Sequence, residues 1–157
     1  MVKKKFAVPA PVSGIVATLA SSGFDAYLVG GCVRDLLLGR EPKDWDVATN
    51  ALPEQIQNIF PKTLYLNTFG TVTVRSDQME IEVTTFRSDG QYTDFRHPDR
   101  VEFGVSLTED LARRDFTINA LAYDGKMIVD EFNGQQDLKQ YVIRAVGDAN
   151  TRFNEDA

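Results

Sequence analysis

Two short stretches carry acidic side chains whose spacing suits chemistry on a phosphate ester. Asp44-Trp45-Asp46 sets two carboxylates two residues apart. On a strand, residues i and i+2 point to one face, which stands these acids side by side and turns Trp45 the other way. Carboxylates that close raise one another's pKa unless a cation shares them. Hard oxygen donors suit Mg²⁺, which is usually held by one or two carboxylates together with substrate phosphates. Taken alone, an Asp-x-Asp is more often a solvated surface pair. In Met79-Glu80-Ile81-Glu82-Val83-Thr84 the apolar residues claim a core face, and Glu80, Glu82 and Thr84 share the other. If that strand lies beside Asp44–Asp46, a third carboxylate joins the site. Three carboxylates can hold two metal ions about 3.5–4 Å apart, clamping the attacking and leaving oxygens of a phosphoryl transfer.

Two further segments could bind the phosphates. Gly30-Gly31-Cys32-Val33-Arg34-Asp35 follows an apolar run and opens a helical pattern. Glycines there let backbone approach a ligand closely, and Arg34 adds a charged fork one turn in. The segment has neither the Lys-Ser/Thr of a Walker loop nor a Gly-x-Gly-x-x-Gly spacing; the bland alternative is a strand-to-helix turn with a surface Arg–Asp pair. In Arg113-Arg114-Asp115-Phe116-Thr117-Ile118-Asn119-Ala120 the adjacent arginines are expected to diverge, one to a ligand and one to an acid. Asn119, set between apolar residues, needs hydrogen-bond partners. The alternative is an amphipathic helix with a solvated arginine pair. Within one chain, these four features make up the parts that move a nucleotide.

The elements that must position them follow from periodicity and breakers. Residues 11–21 form a helix stopped by Gly23, residues 26–29 a strand, residues 32–38 a helix stopped by Gly39, and residues 45–49 a strand. Pro53 starts a helix, and residues 71–75 and 79–84 form a hairpin across Ser76-Asp77-Gln78. Residues 88–100 are polar, hold Gly90 and Pro98, and read as a mobile loop. Beyond it, residues 107–113 read as a helix, 127–129 as a strand, 137–141 as a helix end and 142–146 as a strand. Asp148 then caps a last helix. The sum is a mixed α/β pattern with an antiparallel or mixed sheet.

Composition bounds the function. The chain has 157 residues, enough for one domain without disulfides or a structural metal. Its net charge of −6 argues against a free-standing electrostatic nucleic-acid binder. Cys32 is the only cysteine and His97 the only histidine, so a disulfide, a Cys-rich zinc site and a Ser-His hydrolase have little to build on. A reducing compartment fits, which points to a cytoplasmic protein. Lys3 to Lys5 precede an apolar stretch, but Pro9, Pro11, Ser13 and Gly14 interrupt it, so it reads as a soluble start rather than an export signal.

Taken in order, Gly30 through Asp35, Leu37-Leu38-Gly39, Asp44-Trp45-Asp46 and Thr49 resemble the signature of class II tRNA nucleotidyltransferases and bacterial poly(A) polymerases, members of the DNA polymerase beta superfamily. The resemblance continues through Gly70-Thr71-Val72-Thr73-Val74, Glu82 through Arg87, Asp89 through Tyr92, Arg96-His97-Pro98 and Leu107 through Leu111. It runs on through Arg113 to Ala122, Asp130, Asn133-Gly134 and Asp137-Leu138, and covers about residues 26–157. It implies an α+β, DNA polymerase beta-like nucleotidyltransferase fold, a mixed or antiparallel sheet flanked by helices. The reaction it implies is transfer of CMP or AMP from CTP or ATP to a tRNA 3′ end, with Mg²⁺ as cofactor.

The resemblance also implies roles. Asp44 and Asp46 bind the metal ions, and Glu82, rather than Glu80, is the third catalytic acid. Gly30, Gly31 and Arg34 belong to the triphosphate site, with Arg114 at the nucleotide and Asn119 in support. Residues 88–100 correspond to a loop that helps relatives switch from adding C to adding A, and His97 stands where many carry a second arginine. Phe69-Gly70-Thr71-Val72 looks more like the CCA-adding branch than the polyadenylating one. Glu155-Asp156 begins a Glu-Asp-x-x-Arg element that reads the incoming base, which makes Asp156 a nucleotide-binding residue. The expected division is a catalytic head over residues 1–147 and the start of a neck over 148–157, with tRNA held mainly by domains not present. The alternatives are an A-adding or polyadenylating relative, an inactive nucleotide-binding fragment, and a Mg²⁺-dependent glycosyltransferase, which also uses Asp-x-Asp.

Overall fold

The computed structural model describes residues 5–65, 69–90, 98 and 100–155. Helix α1 (Ala10–Ser21) buries Val12, Ile15 and Leu19, the 3–4 spacing of one helical face, and leads to strand β1 (Ala26–Val29). Helix α2 (Gly31–Leu37) follows directly, then strand β2 (Asp46–Thr49) and helix α3 (Pro53–Ile59). Proline at the first position of α3 has its fixed φ suited to helix entry, and the Gln55 side chain accepts from the Leu52 N–H at 2.8 Å.

Strands β3 (Thr63–Leu64), β4 (Thr71–Ser76) and β5 (Met79–Thr85) complete one side of the sheet. Asp77 and Gln78 take positive φ values of 45° and 67°, the geometry a two-residue hairpin requires. Strands β6 (Arg87–Asp89) and β7 (Val101–Phe103) pair with each other, so the segment read as a mobile loop is rooted in a small hairpin. The polar sequence concealed it because both strands lie outside the main sheet and lack its apolar alternation. Residues 91–97, His97 included, and residue 99 lie outside the described residues.

Helix α4 (Leu107–Ala112) is opened by a reciprocal cap, in which Ser106 accepts from the Glu109 N–H and Glu109 accepts from the Ser106 N–H. A 3₁₀ turn (Thr117–Asn119), strands β8 (Ala122–Tyr123) and β9 (Ile128–Val129), and helices α5 (Gly134–Gln140) and α6 (Ala149–Glu155) end the fold. Residues 142–146 do not form the expected strand and contribute one isolated bridge, Phe116 to Ala145. Tyr141 in the left-handed region turns the chain after α5, and Ile143 and Tyr141 point to solvent, which leaves this run without a neighbouring ladder.

The main sheet runs β3-β4-β5-β2-β1-β8-β9, antiparallel except where β2 and β5 lie parallel. One face carries Leu28, Val47, Val72, Ile81 and Val83 against Val12, Leu19 and Ile56 of α1 and α3. Each fully buried aliphatic side chain there contributes about 1.5–3 kcal/mol. On the opposite face Val29, Ala48 and Ala122 pack with Phe86, Leu111 and Val146. Beyond that second cluster the face is polar, and there the acids stand.

Candidate active site

The parallel pairing decides the arrangement of the acids. Its register sets Asp46 of β2 beside Glu82 of β5, and Thr73 of β4 is the antiparallel partner of Glu82. Directly paired residues share a face, so Thr73, Glu82 and Asp46 form one row across three strands. The expected union of Asp46 with a strand-borne third acid is present, and it is Glu82. Glu80 instead lies opposite Arg75 and pairs with it at 2.8 Å.

Asp44 departs from its expected position on the strand. Strand β2 starts at Asp46, and Asp44 is exposed in the bend before it. Both ladders of β2 end short of Asp44: the β1 ladder stops at Val47 with Leu28 and the β5 ladder at Asp46 with Glu82. Trp45, 5% exposed, is buried as expected. Burial pushes the Asp46 carboxyl above its usual range, and the negative charges of Glu82 and Asp44 push the same way against the pull of Arg114. A partly buried acid crowded by two others fits a hard divalent cation. Among the described residues no three His, Cys, Asp or Glu side chains close into a ready-made cage. Mg²⁺ needs none when substrate phosphates supply the remaining oxygens.

The strand-to-helix turn adjoins Asp46. Gly30 has φ +74° and ψ −137°, a region essentially closed to other residues. A Cβ there would stand 3.2 Å from Arg114 Nη1 and 3.9 Å from Asp46 Oδ2, so the missing side chain is what lets the arginine and the acid approach. Arg34, in α2, lies over Gly31 and donates to Asn119 Oδ1 at 2.8 Å while pairing with Asp35 at 2.9 Å. The hydrogen-bond partners required of Asn119 are thus Arg34 and, at 3.4 Å, Asp115.

Arg113 and Arg114 do not diverge. Both donate to Asp110, each at 3.2 Å. Helix α4 stops at Ala112, and the following turn folds both side chains back onto the carboxylate one turn earlier. Asp110, 0% exposed, also accepts from the Arg87 N–H at 3.0 Å, tying α4 to β6. Sequence reading gave Asp110 no role, although the i,i+3 and i,i+4 spacing to two arginines carried the signal. Arg114 Nε is buried without a hydrogen-bond partner among the described residues. Burial pushes its guanidinium below its usual pKa, against the pull of Asp110.

Gly30, Gly31, Arg34, Asp46, Arg114 and Asn119 line one cavity of about 390 Å³. Arg152 of α6, without an assigned role in the sequence, and Glu155, the first residue of the Glu-Asp-x-x-Arg element, line it too. Asp156 lies outside the described residues. A larger cleft of about 920 Å³, lined by Leu37, Leu38, Met127 and Leu138 among others, contains none of these groups, so volume does not locate the chemistry.

Residues 26–144 match the model of the poly A polymerase head domain. The chain belongs to the poly A polymerase head domain family. The chain is 52% identical over 147 residues to a CCA-adding enzyme from Oceanobacillus iheyensis, covering 92% of the chain and 37% of that relative. It is also 52% identical to the CCA-adding enzyme of Geobacillus stearothermophilus, covering 92% and 36%. The crystal structure of the Bacillus stearothermophilus CCA-adding enzyme in complex with CTP superimposes with a TM-score of 0.83 at 46% identity, covering 95% of the chain and 37% of that structure. A tRNA nucleotidyltransferase complexed with a primer tRNA and an incoming ATP analog gives 0.65 at 32% identity, covering 84% and 38%. The chain thus spans little more than a third of the length of these relatives. None of its helices is long and apolar enough to cross a membrane, among the described residues.

Proposed function

We propose that this chain is the catalytic head of a tRNA nucleotidyltransferase that adds CMP and AMP from CTP and ATP to a tRNA 3′ end. The row Asp46–Glu82 beside a cavity lined by Gly30, Arg34 and Arg114 carries the reading. The RNA 3′ hydroxyl gives its proton to solvent as its oxygen bonds to the α-phosphorus, the bond from that phosphorus to the bridging oxygen breaks, and pyrophosphate leaves. Asp44, Asp46 and Glu82 are the acids that would hold Mg²⁺, Asp44 and Asp46 as the direct metal ligands. A Mg²⁺ ion held there would supply a lowered pKa for the attacking hydroxyl and a positive charge to offset that on the departing pyrophosphate.

The chain's own residues do the rest. Gly30 and Gly31 admit the phosphates close to backbone, Arg34 and Arg114 draw them by charge, and Asn119 fixes the direction of Arg34. Asp156 is assigned to the base on the resemblance alone. Residues 1–147 are read as the head and 148–157 as the start of a neck, and a tRNA substrate argues for a cytoplasmic protein. The polyadenylating alternative shares the family, but the two 52%-identical relatives are CCA-adding enzymes, which favours CCA addition.

The test is incorporation of labelled CTP and ATP into tRNA lacking its 3′ end, in the presence of Mg²⁺. Asp46→Ala is expected to lower incorporation at least a thousand-fold with the fold intact by circular dichroism. Retained activity in that variant, or incorporation into no tRNA by the parent protein, overturns the proposal.

A further inference from the structure

Helix α6 forms part of the cavity wall, yet none of its residues is buried and Phe153 is 57% exposed. An apolar face does not seat it. Asp148 accepts from the Thr151 N–H at 2.9 Å and so closes the first turn, and the Phe153 ring meets Phe116 edge-on at 6.4 Å. The strongest attachment is the Arg152 guanidinium. It donates to Ala112 O at 2.6 Å, Val146 O at 3.0 Å and Glu155 Oε2 at 2.7 Å.

The position of Ala112 gives this attachment meaning. It is the last residue of α4, where carbonyls lack intrahelical donors and favour a cation. The next two residues are Arg113 and Arg114, whose side chains fold onto Asp110 and, for Arg114, stand beside Gly30 and Asp46. One planar fork therefore holds the turn that aims Arg114, the Val146 carbonyl just before α6, and the Glu155 carboxylate on the cavity wall. Lysine presents one compact ammonium in place of a planar fork and cannot reproduce all three directions at once.

We infer that Arg152 is a positioning residue of the nucleotide cavity: it fastens α6 to the C-terminal turn of α4, and so fixes the spacing between the Glu155 wall and the Arg34–Arg114 wall. It takes no part in bond making. The inference rests on the nucleotidyl-transfer reading and adds a residue to it. Loosening this fork widens the cavity for the triphosphate and leaves the acids on the sheet untouched.

Steady-state kinetics with tRNA lacking its 3′ end test it. Arg152→Ala is expected to raise the KM for CTP and for ATP about ten-fold, with kcat and the KM for tRNA within two-fold of the parent. Arg152→Lys is expected to fall between, which keeps the test usable if the alanine variant does not fold. Phe153→Ala loosens the same helix through its ring contact while sparing the fork, and should leave the nucleotide KM at the parent value. An unchanged nucleotide KM in both Arg152 variants overturns the inference, as does a matched loss in kcat and both KM values. So does a nucleotide KM in Phe153→Ala that rises as far as in Arg152→Ala. A parent protein that transfers no nucleotide overturns the functional reading instead.

Discussion

Burial acts on single residues according to what surrounds them. The Cys32 thiol, 2% exposed, lies under the Gly30–Gly31 turn and donates to Val29 O at 3.1 Å. Burial pushes it up to about 11, with the Asp46 charge adding to the rise, while hydrogen bonds to backbone pull it down. The thiol is therefore protonated and shielded at neutral pH, although it stands next to the cavity. A disulfide reagent at pH 8 should leave the native protein unmodified for hours and titrate one thiol within minutes in denaturant; rapid native reaction would contradict the burial. The sign of the linkage follows. A thiol raised in the fold contributes stability that is full below the unfolded thiol pKa near 9 and is lost as pH rises through 11. Asp46 is raised for a related reason, burial first, but its crowding acids give it an electrostatic demand that Cys32 does not have.

At the scale of elements, the unit β1–Gly30–α2 decides whether the cavity exists. Gly30→Ala must place a Cβ at positive φ, costing about 1–3 kcal/mol, and must also displace Arg114 Nη1 from 3.2 Å. The expected outcome is a fall in thermal midpoint together with at least a ten-fold weaker binding of CTP·Mg²⁺ by calorimetry, and unaltered binding would show that the glycine serves the turn alone. This unit was legible in the sequence because a strand, two glycines and a helix are all local signals. Glu82 was legible as a candidate from alternation, and its union with Asp46 waited on a register that no local pattern encodes. Asp44 was misplaced because the start of β2 depends on where its ladders with β1 and β5 end. The β6–β7 hairpin was missed because short edge segments with polar composition carry little periodicity; residues 142–146 erred the other way, an apolar run read as a strand of which Ala145 alone finds a bridge partner, Phe116. Asp137 shows the same limit, since it accepts from Thr117 at 2.7 Å, which joins α5 to a 3₁₀ turn twenty residues earlier, and pairs with Arg144 at 3.1 Å in the segment that follows α5.

For the molecule as a whole, the −6 charge first spoke against nucleic acid. Part of that charge stands at Asp44, Asp46 and Glu82, beside a cavity that also holds arginines, so net charge hides a local separation of sign. A ligand that binds only the folded state raises stability by mass action. Millimolar MgCl₂ should raise the thermal midpoint by a few degrees beyond NaCl of equal ionic strength, and the excess should vanish in Asp46→Ala. An equal response to both salts would mean that the acids are merely screened.

The parallel pairing of β2 with β5 also bears on how the chain folds. Asp46 and Glu82 are 82 − 46 = 36 residues apart in sequence, yet neighbours across one ladder. Asp46 pairs locally with nothing on the β1 side, since the β1 ladder stops at Val47, and its ladder partner comes from the far strand β5. Closing so long a loop costs entropy that no single contact repays, and pairings of this kind set slow folding rates. The acids thus meet only when β5 closes against β2, and a chain that has not made this ladder has no row of acids.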